Sequence, residues 1–373
     1  MIQGHAADVI IIGGGIIGAA CADALASRGL EVLVLDGQRP AATAAGMGHL
    51  VVLDDNPAEL ALGEYSVRLW RELASQMPDD CALRQNGTLW LACNDAEMAE
   101  AERKQAVLRD HGVACEVLGP QAVAAAEPAL RAGLSGGLRV SGDCILYAPN
   151  AARWLLQRQA KGVTQRVAHV IDVQGNRVQL AGGERLTASA VVLASGLYAR
   201  ELCPDLPLQA KKGHLLITER YPIQITHTLV ELGYVTSAHN SAGPSVAFNA
   251  QQRPTGQLFI GSSRQFDNHD PAIDAAMLGR MLRRASEFLP GLGEMNGVRS
   301  WTGFRSASPD GQPLIGEHPL QPGLWLAVGH EGLGVTTATG TAQLLAAQLL
   351  RTPLPLDVTP FLPERFIGAR AHA

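Results

Sequence analysis

The segment DVIIIGGGIIGAACADALASRGLEVLVLDG, residues 8–37, constrains the fold of this chain more than any other segment. The β-branched run 9–12 predicts a strand buried on both faces, and a G-x-G-x-x-G motif follows it directly. Residues 19–27 predict a helix, and residues 31–35 predict a second apolar strand that ends at an acidic residue. This order of strand, glycine turn, helix, strand and acid predicts an α/β fold with a dinucleotide-binding unit.

Each part of this motif has a physical role in binding a pyrophosphate. Gly13 permits the tight turn, Gly15 lets the backbone approach the phosphates, and Gly18 lets the helix pack closely against the strand. The free N–H groups and the positive dipole end of the helix N-terminus attract the phosphates. Asp36 can accept hydrogen bonds from the ribose hydroxyls of an adenosine. The predicted contacts in this segment are Gly13, Gly15, Ile16, Ile17, Gly18, Asp36 and Gly37.

Composition excludes several other classes of protein. The chain has 373 residues, 47% hydrophobic and 17% charged, which is typical of a soluble globular protein. A net charge of −5 with scattered basic residues argues against a nucleic-acid-binding protein. No pair among the six cysteines has the C-x-x-C spacing, and we expect reduced thiols, a cytoplasmic location and no metal site. The N-terminal residues resemble neither a secretory signal nor a membrane span.

The glycine motif alone does not decide between FAD and NAD. After Asp36 comes the small-residue loop RPAATAAGMGHLVV (39–52), where a nicotinamide domain would have its third βα unit. Much later, ASAVVLASGLYARELC (188–203) contains a strand followed by Ser-Gly. Near the end, GLWLAVGHEGLGVTTATGTAQLLAAQLL (323–350) predicts another strand, a glycine loop and a helix over 338–350.

The segment WTGFRSASPDGQPLIG (301–316) resembles the W-x-G-x-R-x-x-(S/T)-x-D-G-x-P-x-I-G signature of the D-amino-acid oxidase, glycine oxidase and sarcosine oxidase family of FAD-dependent oxidoreductases. With the opening and closing motifs, the resemblance covers nearly the full length. Within this family, ATAAGMGHLVV and GHEGLGVTT look most like the FAD-bearing β subunits of D-hydroxyproline dehydrogenase and of opine oxidases, which work in heteromeric complexes.

The resemblance implies a Rossmann-like FAD-binding domain and a second, α+β substrate domain built on a largely antiparallel sheet. Their implied boundaries are 1–80, 141–207 and 305–373 for the FAD-binding domain, and 81–140 and 208–304 for the substrate domain. Two segments of the sequence independently support a substrate domain of this kind. The charged segment 95–110 is typical of a helix, and the alternating, turn-rich segment 228–264 is typical of antiparallel strands.

The resemblance also implies FAD contacts beyond the first motif. They are Thr43, Ala44, Ala45, Gly46, Met47, Gly48, Val167, Ala194, Ser195, Gly196, Gly303, Arg305, His330, Glu331, Gly332, Leu333, Gly334, Val335 and Thr336. The N-terminus of the last helix would point at the flavin edge where negative charge accumulates on reduction, and would stabilise that charge. Sarcosine oxidases tether the flavin through a cysteine at the position of Gly303, so we expect non-covalent FAD here.

Arg305, His49 and Glu331 are the candidate catalytic residues. Arg305 occupies the signature arginine that grips the substrate carboxylate in glycine oxidase-like members, and a guanidinium can do this bidentately; the alternative is a structural pair with Asp310. His49 could orient the substrate, accept the amine proton or only contact the cofactor. Glu331 could face the substrate. Glycine oxidase-like members place a second arginine where this chain has Gly332, which argues against simple glycine oxidase activity.

The flavin's electron acceptor is a further expectation. Sarcosine oxidases use a lysine over the flavin to activate oxygen, and the matching strand here offers Phe259. A lysine-free site favours a dehydrogenase that passes electrons to a partner cofactor. An additional carrier at a subunit interface is either FMN or an iron–sulfur cluster. D-hydroxyproline-type imino acids are the leading substrates and opines the second. A stand-alone amino-acid oxidase and an electron-transfer subunit without its own substrate site remain alternatives. Tyr147 and Tyr234 either line the substrate pocket or pack structurally.

Overall fold

The computed structural model describes residues 7–52, 55–233 and 243–367. Its described α-helices are α1 (Ile16–Ala26), α2 (Ala42–Ala45), α3 (Pro57–Leu73), α4 (Asp95–Asp110), α5 (Pro120–Ala126), α6 (Ala148–Arg158), α7 (Ala199–Leu202), α8 (Ala275–Phe288) and α9 (Gly334–Leu350). Its described strands are β1 (Val9–Ile12), β2 (Val32–Asp36), β3 (His49–Leu50), β4 (Thr88–Ala92), β5 (Cys115–Leu118), β6 (Gly136–Val140), β7 (Cys144–Ile145), β8 (Val163–Val167), β9 (Val170–Gln174), β10 (Arg177–Leu180), β11 (Arg185–Thr187), β12 (Ala190–Leu193), β13 (Gln209–Arg220), β14 (Thr228–Glu231), β15 (Ser245–Gln252), β16 (Gln257–Phe266), β17 (Gly297–Ala307), β18 (Leu314–Glu317) and β19 (Leu324–Val328).

A six-stranded sheet in the order β18-β19-β12-β1-β2-β8 carries the opening motif. Its strands run parallel except for the antiparallel edge pair β18–β19. The predicted strand over 9–12 is confirmed, and it is buried on both faces. Val9 and Ile11 pack with residues of α1 and α9, whereas Ile10 and Ile12 pack with residues of the small sheet β11-β10-β9. A strand covered on both faces needs no alternating pattern, which explains the continuous β-branched run.

An eight-stranded sheet in the order β17-β13-β16-β15-β14-β4-β6-β5 forms the second layer. It is antiparallel except for the pair β14–β4, which is parallel. The predicted helix over 95–110 is confirmed as α4, and the turn-rich segment 228–264 supplies β14, β15 and most of β16. Helix α8 packs against this sheet, where Phe288 stacks on Phe248 at 4.5 Å between ring centroids. The expected combination of a Rossmann-like layer and a largely antiparallel sheet is therefore confirmed.

Two helices begin earlier than the sequence predicted. α1 starts at Ile16, not at residue 19, and α9 starts at Gly334, not at residue 338. Glycine and β-branched residues have low helix propensity, yet Gly334, Val335 and Thr336 are helical in α9. Tertiary contacts override that propensity, because the Thr336 hydroxyl donates to the His49 carbonyl at 3.1 Å and so fixes the first turn of the helix. Both N-termini therefore lie directly at their glycine loops.

The division into two discontinuous domains remains our proposal. The strands of the six-stranded sheet all come from the ranges predicted for the FAD-binding domain, and those of the eight-stranded sheet come from the ranges predicted for the substrate domain. This origin supports the proposed boundaries, although β17 crosses the boundary between 304 and 305. All six cysteines are free thiols. None of the described helices is both long and apolar enough to cross a bilayer.

Candidate active site

A cavity of about 1290 Å³ lies between the two large sheets, and it exceeds the roughly 300–1,000 Å³ common for small-molecule sites. One end is lined by the glycine turn and Asp36, and the other end by Arg305, Glu331 and Lys211. Nearly all of the residues predicted to contact the cofactor line this cavity. The exceptions are Gly18, Val167 and Thr336, which do not reach it. A cavity of this volume can hold a dinucleotide together with a small substrate.

Each of the three exceptions has a structural reason. Gly18 has the packing role predicted for it, since a Cβ there would come 1.9 Å from the Gly13 carbonyl oxygen. Thr336 is buried in α9, where its hydroxyl bonds β3 and not the cavity. The side chain of Val167 is 67% exposed at the end of β8 and does not line the cavity, and its contact with FAD stays a prediction. The wall is lined instead by the residues that follow, beginning at Ala168.

The glycine turn has the geometry needed to hold a pyrophosphate. Gly13 has a φ of 110°, and a Cβ there would come 2.6 Å from the Ala194 carbonyl oxygen, so only glycine fits. Gly15, the N-cap of α1, has no side chain to cap the helix, and the Ile16 N–H donates to the Thr43 hydroxyl at 3.0 Å. The dipole of this helix end still attracts an anion. The Asp36 carboxylate accepts the Gly14 N–H at 2.7 Å, which holds the acid at the cavity wall.

The small-residue loop 43–48 is fixed by its carbonyl groups. The Trp301 indole donates to the Ala45 carbonyl at 3.1 Å, and the Gln251 side chain donates to the Met47 carbonyl. A Cβ at Gly303 would come 2.4 Å from the Ala45 Cβ. A cysteine at this position would therefore displace the loop, which agrees with the expectation of non-covalent FAD.

The N-terminus of α9 reaches the same cavity, and a Cβ at Gly334 would lie 3.9 Å from the Ile17 side chain in the first turn of α1. Leu333 and Gly334 line the wall, no side chain caps the helix, and its first turn contains no acidic residue. The free N–H groups and the helix dipole make this end attractive to negative charge. The loop before it positions Glu331 with a φ of 44°, and the Glu331 N–H donates to the Ser306 carbonyl at 2.9 Å.

Arg305 lies across the face of the eight-stranded sheet. It stands opposite Lys211 in the β13–β17 pair, and its Nη1 donates to the Ser263 carbonyl at 3.2 Å. The guanidinium passes over Gly213, where a Cβ would come 2.8 Å from Nη1. The alternative of a structural pair with Asp310 is wrong, because the Asp310 carboxylate pairs with Arg365 at 2.7 Å. Arg305 is thus held at the cavity wall by backbone contacts.

Two cations at this end of the cavity were not predicted from the sequence. Lys211 and Arg264 line the wall, and Lys211 Nζ lies 3.2 Å from Glu331 Oε1. Burial alone would raise the pKa of Glu331, but Arg264, Lys211 and Arg305 together hold that pKa below its usual value. The expectation of a lysine-free site is therefore wrong. No local motif indicates these side chains, because their position depends on which strands become neighbours.

His49 and His330 are both neutral at physiological pH. Burial lowers the pKa of His49 to about 4 and that of His330 to about 3. His49 Nε2 lies 2.7 Å from the Thr88 hydroxyl, and His330 Nε2 lies 3.0 Å from the Thr341 hydroxyl. Both histidines line the cavity. Neither can supply a positive charge for a carboxylate, so anion binding falls to the arginines and the lysine.

The two tyrosines considered from the sequence have different outcomes. Tyr147 is 43% exposed and is not among the residues that line the cavity. Tyr234 lies outside the described residues.

Away from the cavity, Cys203, Asp205 and His318 place possible metal-ligand atoms within 4.8 Å of one another. His318 Nδ1 accepts the Leu320 N–H, and Nε2 then donates to Asp205 at 3.1 Å, so hydrogen bonds account for this cluster.

Replacing Gly213 by alanine should weaken substrate binding without affecting the cofactor end of the cavity. The added methyl group would meet Arg305 Nη1 at 2.8 Å and the Ser263 carbonyl oxygen at 3.1 Å, so the guanidinium must move. We expect the KM to rise by roughly 10-fold, about 1.4 kcal/mol. Steady-state kinetics with FAD content measured in parallel checks this, and an unchanged KM would contradict the position of Arg305.

Comparison with known proteins identifies the family. Residues 8–348 match the DAO family of FAD dependent oxidoreductases. The chain belongs to this family. Glycine oxidase from Geobacillus kaustophilus (strain HTA426) is 29% identical over 384 residues, which cover 98% of each chain. One of the subunits of opine oxidase from Rhizobium meliloti is 28% identical over 392 residues, covering 98% of this chain and 99% of the relative. The crystal structure of glycine oxidase from Geobacillus kaustophilus has a TM-score of 0.86 and 27% identity, over 97% of this chain and 99% of that chain.

The cavity and the family agree on the cofactor. The chain is an FAD-dependent oxidoreductase, and it places the N-terminus of α1 beside a glycine turn, with an acid at the cavity wall. These features suit the adenosine diphosphate half of FAD. The N-terminus of α9, which no side chain caps, suits the flavin half. The expectation of FAD is confirmed.

Proposed function

We propose that this enzyme oxidises the C–N bond of an amino or imino acid whose carboxylate is bound by Arg305. The observation that carries this proposal is the position of the Arg305 guanidinium. It lies at the end of the cavity opposite the glycine turn, and it forms no ion pair with any carboxylate in the described ranges. A planar guanidinium binds a carboxylate through two parallel hydrogen bonds and so fixes its orientation.

Bound FAD would supply the hydride acceptor for the α-carbon. The protein's own contribution is orientation and charge. Arg305 would hold the carboxylate so that the α-carbon faces the flavin, and a fixed geometry of this kind supplies much of the rate enhancement in such reactions. Lys211 and Arg264 raise the positive potential at this end of the cavity, and Glu331 offsets part of it.

The substrate proposed from the motifs is a cyclic imino acid of the D-hydroxyproline type. A second candidate, an opine with two carboxylates joined through a secondary amine, is supported by charge. Lys211 and Arg305 line the cavity beside Glu331, and each can bind a substrate carboxylate. One substrate carboxylate would neutralise one of them, whereas two carboxylates would neutralise both. The similarity to the opine oxidase chain of Rhizobium meliloti is consistent with this candidate.

Anaerobic titration of the purified holoprotein tests the proposal. D-hydroxyproline, D-proline, an N-(1-carboxyethyl) amino acid, sarcosine and glycine would be added separately, and bleaching of the flavin absorbance near ~450 nm would be followed. Bleaching by an amino or imino acid without any partner protein supports an intact substrate site. If none of them reduces the flavin, the proposal fails and the alternative of an electron-transfer subunit gains support.

We further propose that the reduced flavin passes its electrons to partner subunits in a heteromeric dehydrogenase. Because Lys211 lines the cavity, the absence of a lysine no longer supports a dehydrogenase. This proposal now depends on the similarity to one chain of a multi-subunit opine oxidase. Oxygen consumption by the isolated chain, compared with reduction of an artificial dye, distinguishes the two outcomes. Rapid peroxide formation would support a stand-alone oxidase and overturn the dehydrogenase proposal.

A further inference from the structure

We propose that His49, Thr88 and Asp143 form a buried proton relay that removes the ammonium proton of the substrate from the cavity. This inference rests on the proposed oxidation of an amino or imino acid, whose nitrogen must release a proton before its lone pair can assist hydride departure. A base is therefore needed close to the substrate nitrogen. Glu331 is not available as this base, because it is already paired with Lys211.

His49 contacts Thr88, and Thr88 lies close enough to Asp143 for its hydroxyl to lower the pKa of that carboxyl. His49 lines the cavity, and its Nε2 lies 2.7 Å from the Thr88 hydroxyl. Thr88 is completely buried at the start of β4, and Asp143 is completely buried directly before β7. The pairing of His49 with Ile145 in the β3–β7 ladder holds the two ends of the relay together. Within the described ranges, His49 Nδ1 has no hydrogen-bond partner, so it remains for a group in the cavity.

The surroundings of Asp143 suit a proton acceptor. Its Oδ1 accepts the Val52 N–H at 3.1 Å, and its Oδ2 is buried without an aligned donor among the described residues. Burial raises the pKa of Asp143 to about 7, although the Thr88 hydroxyl, the Val52 N–H and the charge of Arg71 lower it. Cys144 is the other titratable neighbour, and burial raises its pKa to about 11, so it stays protonated.

His49 cannot be the final acceptor, because burial lowers its pKa to about 4. It can conduct a proton without becoming charged. The substrate ammonium gives its proton to Nδ1, Nε2 gives its proton to the Thr88 oxygen, and the Thr88 hydroxyl gives its own proton to Asp143. One N–H bond of the substrate is broken and one O–H bond forms at Asp143, and no electrons are transferred. The neutral imidazole changes only its tautomer.

The tautomer of His49 is the direct test, and it needs neither substrate nor turnover. When Asp143 is ionised, Thr88 donates to it and accepts from Nε2–H. When Asp143 is protonated, the hydrogen bonds reverse and the imidazole carries its proton on Nδ1. NMR of the ¹⁵N-histidine-labelled holoprotein should therefore show this switch with a midpoint near pH 7. A His49 that keeps one tautomer from about pH 5 to about pH 9 would overturn the relay.

Matched variants separate the relay from ordinary packing. Thr88→Val should abolish the switch, and Thr88→Ser should retain it. Thr228→Val is the control, because Thr228 is equally buried and stands opposite Thr88 in the β14–β4 pair, but its hydroxyl bonds Asn86. With a reducing substrate, Thr88→Val should slow flavin reduction near neutral pH by roughly 100-fold, the lower end of general-base effects, whereas Thr228→Val should not. Equal slowing in both variants would overturn the relay.

The pH dependence of stability gives an independent readout. Because the pKa of Asp143 is about 7 in the folded chain and 3.8 is its ordinary value, the folded state binds more protons than the unfolded state between these values. The contribution of Asp143 to the free energy of unfolding must then fall as pH rises from about 4 to about 7. Asp143→Asn keeps an acceptor for Val52 N–H and should lose this fall. Identical pH profiles of wild type and variant would overturn the relay, whereas a flavin that no amino or imino acid reduces would contradict only the proposed function.

Discussion

Replacing Arg305 by alanine should raise the KM for the amino or imino acid by roughly 30- to 700-fold and leave the FAD content unchanged. Losing one partner of a buried charge pair costs about 2–4 kcal/mol, and each 1.4 kcal/mol is tenfold in affinity. The guanidinium contacts the Ser263 carbonyl and passes over Gly213, which are not part of the glycine turn that would hold the pyrophosphate. Steady-state kinetics and the flavin absorbance of the purified variant measure the two effects.

Two further variants make this result specific. Arg305→Lys keeps the positive charge but loses the planar pair of donors, so its KM should lie between those of wild type and Arg305→Ala. Arg220→Ala removes the same charge from an exposed position at the end of β13 that does not line the cavity, and its KM should remain unchanged. If the Arg305→Ala enzyme kept the wild-type KM, Arg305 would not bind the substrate.

Replacing Gly18 by alanine should abolish FAD retention and lower the melting temperature. A Cβ at this position would come 1.9 Å from the Gly13 carbonyl oxygen and 3.3 Å from the Ile11 side chain. The first contact is with backbone, which cannot rotate away, so α1 must move off the turn that it closes. Overpacking of a core typically costs about 1–3 kcal/mol, and we expect a value at the upper end. Flavin absorbance per protein and thermal unfolding provide the measurement.

The matched control for this variant is Gly279→Ala in the middle of α8. A Cβ there meets only the end of the Arg283 side chain, at an ordinary contact distance of 3.4 Å. Alanine favours an α-helix over glycine by about 1 kcal/mol, so this variant should be as stable as wild type or more stable, with full FAD content. If Gly18→Ala also kept its flavin and its melting temperature, the close approach of α1 to the glycine turn would be refuted.

Much of the fold follows from local sequence. The run 9–12 predicted β1 at its observed bounds, and the charged segment 95–110 predicted α4. The signature segment placed Arg305 correctly in the cavity wall. In each case neighbouring residues carry the information, through hydrophobic periodicity, helix propensity or glycines that only one turn geometry requires. Helix starts were less accurate, since α9 gains its first turn from a contact with β3.

The sequence by itself determined the glycine turn, the two sheet-forming patterns and the arginine that faces the cavity, because each depends on residues close together in the chain. Only the tertiary structure brought Lys211 and Arg264 to Glu331, and His49 to Thr88 and Asp143. These groups lie on strands and loops far apart in the chain, and their meeting depends on strand order and register. Strand pairing over such distances is decided by global packing, which no short pattern of residues encodes.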